Sequence, residues 1–187
     1  MSTPLSFDPI AEARRQWDQH WDGAATPSMA AVTSIMRAQQ IVMARLNELL
    51  DPLDLTFPRY ESLMLLYYSR LGELPLGKIS DRLQVHRASV TNVVDKLAGS
   101  GYVTRVRDGR DRRAVLATIT ADGRRVAAAA TKLLNDARFG MQPLDTPACE
   151  GLYAALTPLR AGAGDYDLAA PPAAKPPAPF SSRDAAR

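Results

Sequence analysis

One cysteine, Cys149, and two histidines, His20 and His86, are all the thiol and imidazole this 187-residue chain offers. A single thiol cannot close a disulfide within the chain, and no cluster of thiolates and imidazoles exists to hold zinc. The two histidines lie far apart in sequence, so neither a structural metal nor a metal sensor is expected. Long apolar runs are missing as well. No stretch reaches the ~18 residues of a membrane span, and the opening MSTPLSFDPIAEARRQW lacks the apolar run that follows the basic start of a secretory signal. A cytoplasmic location is expected on those grounds. Also lacking are a glycine-rich phosphate loop, metal-ligand spacing and a nucleophile with a histidine nearby, which argues against an enzyme and against a bound cofactor.

A hydrophobic content of 46% suits one compact soluble domain, and the formal net charge of +3 is too small to name a partner by itself. Where the charge sits therefore matters more than its sum. Apolar periodicity predicts a short arm helix with Ile10, Ala13, Trp17 and Trp21 on one face. Thr26 and Pro27 then form a start signal, the threonine hydroxyl capping free amides, for a long helix to about Leu50. In that helix Met29, Met36, Met43 and Leu50 recur every seven residues, with Val32, Leu46 and Leu49 between them. The stripe suits either core within the chain, the expected reading residue by residue, or a helical interface. Leu55, Thr56 and Pro58 open the next helix, which carries Leu63, Met64, Leu66 and Tyr67 and stops before Gly72.

Leu76, Ile79 and Leu83 mark one face of a short helix, and Gln84, Val85 and His86 read as a tight turn into another. Together they form a helix-turn-helix spacing. In the second helix Val90, Val93, Val94 and Leu97 face inward, leaving Arg87, Ser89, Thr91, Asn92, Asp95 and Lys96 outside. Such a polar face fits the major groove of a duplex, and it equally fits an ordinary solvated helix. The following residues weigh for the first. After Gly99 and Gly101, two β-prone runs at 102–107 and 114–120 are joined by a charged tip, predicting a hairpin. Between Arg105 and Arg113 there are five arginines against two aspartates, a local excess as large as that of the whole chain. An exposed arginine hairpin beside a polar helix offers phosphate contacts and a side chain able to enter a minor groove.

Thr120 then precedes a helix from Ala121 to about Phe139 with Val126, Ala130, Leu133, Leu134 and Ala137 inward. Thr146 and Pro147 open a last helix with Leu152, Ala155, Leu156 and Leu159, which Pro158 is expected to kink or end. Beyond Gly162 the chain turns alanine- and proline-rich and has little to bury, as in a disordered tail.

From the helix near Thr26 to Arg160 the sequence resembles the MarR family of bacterial winged helix-turn-helix regulators. The likeness rests on the runs GlySerGlyTyrValThrArg at 99–105, ArgAspGlyArgAspArgArgAlaValLeu at 107–116 and ThrIleThrAlaAspGlyArg at 118–124. It implies a mainly α fold with a small β-hairpin wing, the winged helix-turn-helix being embedded between helices that form a dimerisation domain. The expected organisation is an arm at 1–25, dimerisation segments at 26–55 and 121–161, a DNA-binding domain at 56–120 and a tail at 162–187. The resemblance also implies a homodimer whose terminal helices intertwine, acting as a repressor on double-stranded DNA at a near-palindromic operator. In it an aspartate orients a wing-tip arginine toward the minor groove, positions matched by Asp111 and Arg113, and a carboxylate can grip a guanidinium by paired hydrogen bonds.

The candidate DNA-binding set is therefore Arg87, Ser89, Thr91, Asn92 and Lys96 on the helix, with Arg107, Arg110, Asp111, Arg112 and Arg113 in the wing. A small effector, often an aromatic acid in regulators of this kind, is implied between dimer helices and winged domain. Trp17, His20, Arg37, Tyr60, Met64, Tyr67 and Tyr68 are its candidate contacts, each with ordinary packing as the plainer alternative. Cys149, in the first turn of the last helix, is expected to pack rather than to sense oxidants. The rival to DNA binding is a winged helix that binds only protein, for which an arginine-rich hairpin has no evident use.

Overall fold

The computed structural model describes residues 5–107 and 115–167. It divides into two compact units that meet between Arg45 and Leu46. In the first, α1 spans Pro9–His20, with the Asp8 carboxylate accepting from the Ile10 amide at 2.9 Å as an N-cap. The long helix α2, Thr26–Leu50, starts and stops where periodicity puts it. Thr26 is itself the first residue of the helix, and its hydroxyl donates to Asp18 Oδ1 at 2.5 Å. Val32, Ile35, Met36 and Ile41 of α2 are exposed, Met36 at 57%. The expected reading of this methionine stripe as intrachain core therefore fails at Met36, which no apolar surface among the described residues covers.

The second unit begins with the end of α2, where Leu46 and Leu50 are buried, and a 3-10 turn at Asp51–Leu53. Then come α3 (Phe57–Tyr67), β1 (Glu73–Pro75), α4 (Leu76–Leu83), α5 (Arg87–Gly99), β2 (Val103–Arg107), β3 (Val115–Ile119), α6 (Ala121–Asp136) and α7 (Thr146–Gly162). Thr56 precedes α3 without a side-chain cap; the Asn47 amide oxygen accepts from Phe57 N at 2.9 Å instead. Leu63 and Leu66 of α3, Ile79 of α4, Val90, Val94 and Leu97 of α5, and Ala127, Ala130 and Leu134 of α6 are sealed from solvent. Each buried leucine of this kind is worth about 1.5–3 kcal/mol relative to exposure. The wing is accordingly mounted on a rigid base.

The sheet is antiparallel with strand order β1-β3-β2, one strand more than the hairpin expected from sequence. Three residues are too few to show a period, and Pro75 lacks a donor, which an edge strand tolerates. Two helical expectations also change. Leu133 of α6 is 37% exposed while its neighbour Leu134 is buried, so Leu133 is not an inward residue of this chain. Pro158 does not end α7, which runs on to Gly162 with the proline inside it. Proline removes one donor, and the exposed position of Ala154 leaves that carbonyl open to water. Residues 163–167 follow as a turn, with Arg160 Nε donating to Asp165 Oδ2 at 2.7 Å. The tail beyond residue 167 lies outside the described residues. No described helix is long and apolar enough to cross a membrane.

Candidate nucleic-acid interface

The turn between α4 and α5 is held by one buried hydroxyl. Ser80 Oγ donates to the Val85 carbonyl at 2.6 Å, and Val85 N donates back to the Ser80 carbonyl at 3.3 Å. Gln84 closes α4 in the left-handed region, at φ 53°. His86 then caps α5, its Nδ1 accepting from Ala88 N at 3.2 Å. The imidazole must be neutral at Nδ1 to do so, leaving the proton on Nε2. Neither role was legible in the sequence, where Ser80 is one more polar residue of an amphipathic helix.

Val90, Val94 and Leu97 hold α5 to the core, Ser89, Asn92, Asp95 and Lys96 stand on its exposed side, and Arg87 is exposed at its N-terminus. Thr91 is half-buried, its hydroxyl donating to the Arg87 carbonyl at 3.1 Å, so it is less available than its neighbours. The Arg87 guanidinium lies over the start of α4: a methyl group on Gly77 would touch it at 3.6 Å. Ser89, Asn92 and Lys96 thus share one open face, and Arg87, the first residue of α5, stands apart from them toward α4.

In the wing, β2 pairs with β3 from Val103↔Ile119 to Arg107↔Val115. Arg107 is exposed, whereas Arg105 is engaged, its guanidinium donating to the carboxylate of Asp95 on α5. Arg110, Asp111, Arg112 and Arg113 fall in residues 108–114, outside the described residues, so the orienting role expected of Asp111 remains an expectation.

The flanking motif residues have structural work. Thr120 Oγ1 accepts from Gly123 N at 2.9 Å, capping α6, and donates to the Gly101 carbonyl at 2.8 Å. A Cβ on Gly123 would stand 2.1 Å from the Tyr102 carbonyl oxygen. Only glycine lets the start of α6 approach the root of the wing this closely. At the other end of α5, Ser100 Oγ donates to Asp54 Oδ2 at 3.1 Å and the Tyr102 hydroxyl to the Leu53 carbonyl at 3.3 Å. The end of α5 is therefore tied to the connection between α2 and α3.

The effector candidates are distributed over both units. In the first, Trp17 packs against Trp21 with ring centroids 6.1 Å apart, His20 Nδ1 lies 2.8 Å from the Gln16 carbonyl, and the exposed Arg37 donates to Gln40 at 3.2 Å. In the second, Tyr60 is buried with its hydroxyl 3.1 Å from Thr131 Oγ1, and that Thr131 hydroxyl also reaches Met64 Sδ at 3.5 Å. Tyr67 lies under the Arg124 guanidinium, 5.8 Å from its centroid, and meets the exposed Tyr68 edge-on. Tyr60, Met64 and Tyr67 thus line one side of α3 against α6. Cys149 is half-buried in the first turn of α7.

The model of the MarR family matches residues 55–115, the stretch from the start of α3 into the wing. Sco5413, a MarR family transcriptional regulator from Streptomyces coelicolor, is 50% identical and superposes with a TM-score of 0.71, over 75% of this chain and 98% of that one. The chain belongs to the MarR family. MarR of E. coli, solved as a mutant complexed with operator DNA, shares the fold at a TM-score of 0.63, with 21% identity over 73% of this chain and 97% of that one. The organic hydroperoxide resistance transcriptional regulator of Bacillus subtilis (strain 168) is 33% identical over 75 residues, 40% of this chain. The chain spans about half the length of that curated relative, 50% of it. In this chain the α4–α5 pair and the β2–β3 hairpin form the winged helix-turn-helix.

Proposed function

We propose that this MarR-family protein is a dimeric repressor that binds a near-palindromic operator and leaves it when a small molecule binds. The observation that carries the reading is the open polar face of α5, Ser89, Asn92 and Lys96, with Arg87 exposed at its N-terminus, on a helix whose other side is buried in the core beside an arginine-bearing hairpin. Side chains of these types read base edges and phosphates in the major groove, and Arg107 with Arg110, Arg112 and Arg113 supplies wing contacts to phosphates and the minor groove. Asp111 is assigned to orient Arg113.

Dimerisation is supported by uncovered apolar surface. α1 and α7 bury none of their residues within the chain, and Trp17, Trp21, Leu152, Tyr153 and Leu159 are exposed on or beside them. Two winged units in one dimer would meet half-sites about 34–36 Å apart, one turn of the duplex. The effector is assigned to the Tyr60, Met64 and Tyr67 side of α3, with Tyr68, Trp17, His20 and Arg37 as further candidates. An aromatic ligand fits tyrosine and methionine walls.

Selection of bound sequences from a random duplex pool tests the reading. The expected product is a palindrome whose affinity falls steeply with salt, by a log–log slope of about 0.9 per phosphate neutralised, and falls strongly in Arg113→Ala. Recovery of no duplex, together with capture of a polypeptide partner, would establish the protein-binding alternative. A thermal-shift screen of aromatic acids tests the release step, since a ligand of the folded state raises its midpoint.

A further inference from the structure

Asp95 is the one carboxylate on the exposed side of α5, where a negative charge opposes the approach of a phosphate backbone. Its partner explains its presence. Arg105 lies ten residues on, across the turn at Gly101, and its guanidinium donates to Asp95 Oδ1 while its side chain is 34% exposed. Register shows how the arginine reaches that point. Arg105 pairs with Ala117, which pairs in turn with Leu74, so the three side chains form one row on a single face of the sheet. Leu74 and Ala117 are buried, and Val103, on that same face of β2, is buried too. The row therefore faces the core beneath α5, and Arg105 is its outer end, turned to the recognition helix rather than outward.

We propose that the Asp95–Arg105 pair is a positioning device: it sets the angle at which the wing leaves the recognition helix, and it withdraws Arg105 from the arginines that meet phosphate. Asp95 and Arg105 are positioning residues that act on DNA through the wing and α5. The proposal rests on the operator-binding reading above. A planar guanidinium and a carboxylate fix each other's direction as well as their distance, and the wing has no other described side-chain bond to α5. Its other ties are at the root, where Val103, Ala117 and Ile119 are buried and Tyr102 N donates to the Leu97 carbonyl at 2.9 Å, so the pair is the described side-chain bond that acts on the hairpin beyond its root.

The two possible roles of these residues predict opposite signs, which makes the pair testable. As a mere surface carboxylate, Asp95 repels DNA, and Asp95→Asn would bind as tightly as the parent or more so. As a phosphate contact, Arg105 would take about 0.9 off the salt slope when replaced by glutamine. The experiment measures operator affinity against salt for the parent, Asp95→Asn, Arg105→Gln and the double variant, with thermal midpoints of each free protein. The expected result is a loss of about tenfold in operator affinity in each single variant with the parent's salt slope, a double variant no weaker than either single one, and unchanged midpoints. Affinity retained in Asp95→Asn, a slope lowered in Arg105→Gln, additive losses, or a collapsed midpoint each overturn the inference while leaving the operator reading intact. A parent that binds no duplex overturns both.

Discussion

Replacing Gly123 by alanine would place a methyl carbon 2.1 Å from the Tyr102 carbonyl oxygen and 2.9 Å from Ile119 Cγ1. Carbon–oxygen contacts begin at about 3.3 Å, so α6 and the root of the wing must part by roughly 1.2 Å. The neighbouring atom is backbone and cannot rotate away. Two hydrogen bonds lie across that gap, Thr120 Oγ1 to the Gly101 carbonyl at 2.8 Å and Thr120 N to the Tyr102 carbonyl at 3.0 Å. Overpacking costs about 1–3 kcal/mol and each stretched bond about 0.5–1.5 kcal/mol. Against this, alanine in a helix gains up to about 1 kcal/mol over glycine. The expected net loss is about 1–5 kcal/mol, which for a chain of this size lowers the thermal midpoint by roughly 2–20 °C. Gly99→Ala is the control, because a Cβ there meets nothing within 4 Å. Its midpoint should equal or exceed the parent's. The assay is calorimetry or circular dichroism at one fixed protein concentration, since an oligomer melts in a concentration-dependent way. A Gly123→Ala midpoint within about 1 °C of the parent refutes the close approach of α6 to Tyr102.

Burial pushes the Glu61 carboxyl above the ordinary glutamate range. Above both its folded and unfolded values, the folded protein bears the unfavourable carboxylate; below about pH 4 the group is neutral in both states and the penalty vanishes. Glu61→Gln should therefore raise the midpoint at pH 7, with the gain shrinking toward pH 4, and a gain that grows with acid refutes the assignment. Ser80→Ala removes the hydroxyl that ties the α4–α5 turn to the Val85 carbonyl; a loss of about 1 kcal/mol in denaturant unfolding is expected. Tyr60→Phe deletes the hydrogen bond to Thr131 and should cost about 0.5–1.5 kcal/mol, measured in the same way. Lys96→Ala should weaken operator binding evenly across sequences and lower the salt slope by about 0.9; a change confined to one base position would make Lys96 a reader of sequence instead.

What was legible in the sequence was whatever repeats locally. The helix limits at Thr26 and Leu50, the short α4, the turn at 84–86 and the inward Val90, Val94 and Leu97 followed from spacing and turn chemistry, because helical hydrogen bonds join residues four apart and need no distant partner. The wing was legible through its two β-prone runs and the arginines between them. The motif at 118–124 was visible as a pattern, but its reason was not: Thr120 and Gly123 serve the packing of α6 on the wing, and only the position of the Tyr102 carbonyl reveals it.

Tertiary structure alone decided which side chains meet across elements. β1 is three residues long and is a strand only because β3 lies beside it. Leu133 and Leu134 are neighbours of one type, yet one is exposed and the other buried, because a helix turns about 100° per residue and the core covers one side of α6. Met36 follows a core-like heptad and is exposed, since a stripe states that a surface is apolar and not what covers it. The scarcity of cysteine and histidine restricted the chemistry from the outset, and the arginine count of the wing was plain in the sequence. That one of those arginines is turned to Asp95 rather than outward depends on how the hairpin crosses α5, a geometry set by the packing of Leu74, Val103 and Ala117 beneath it.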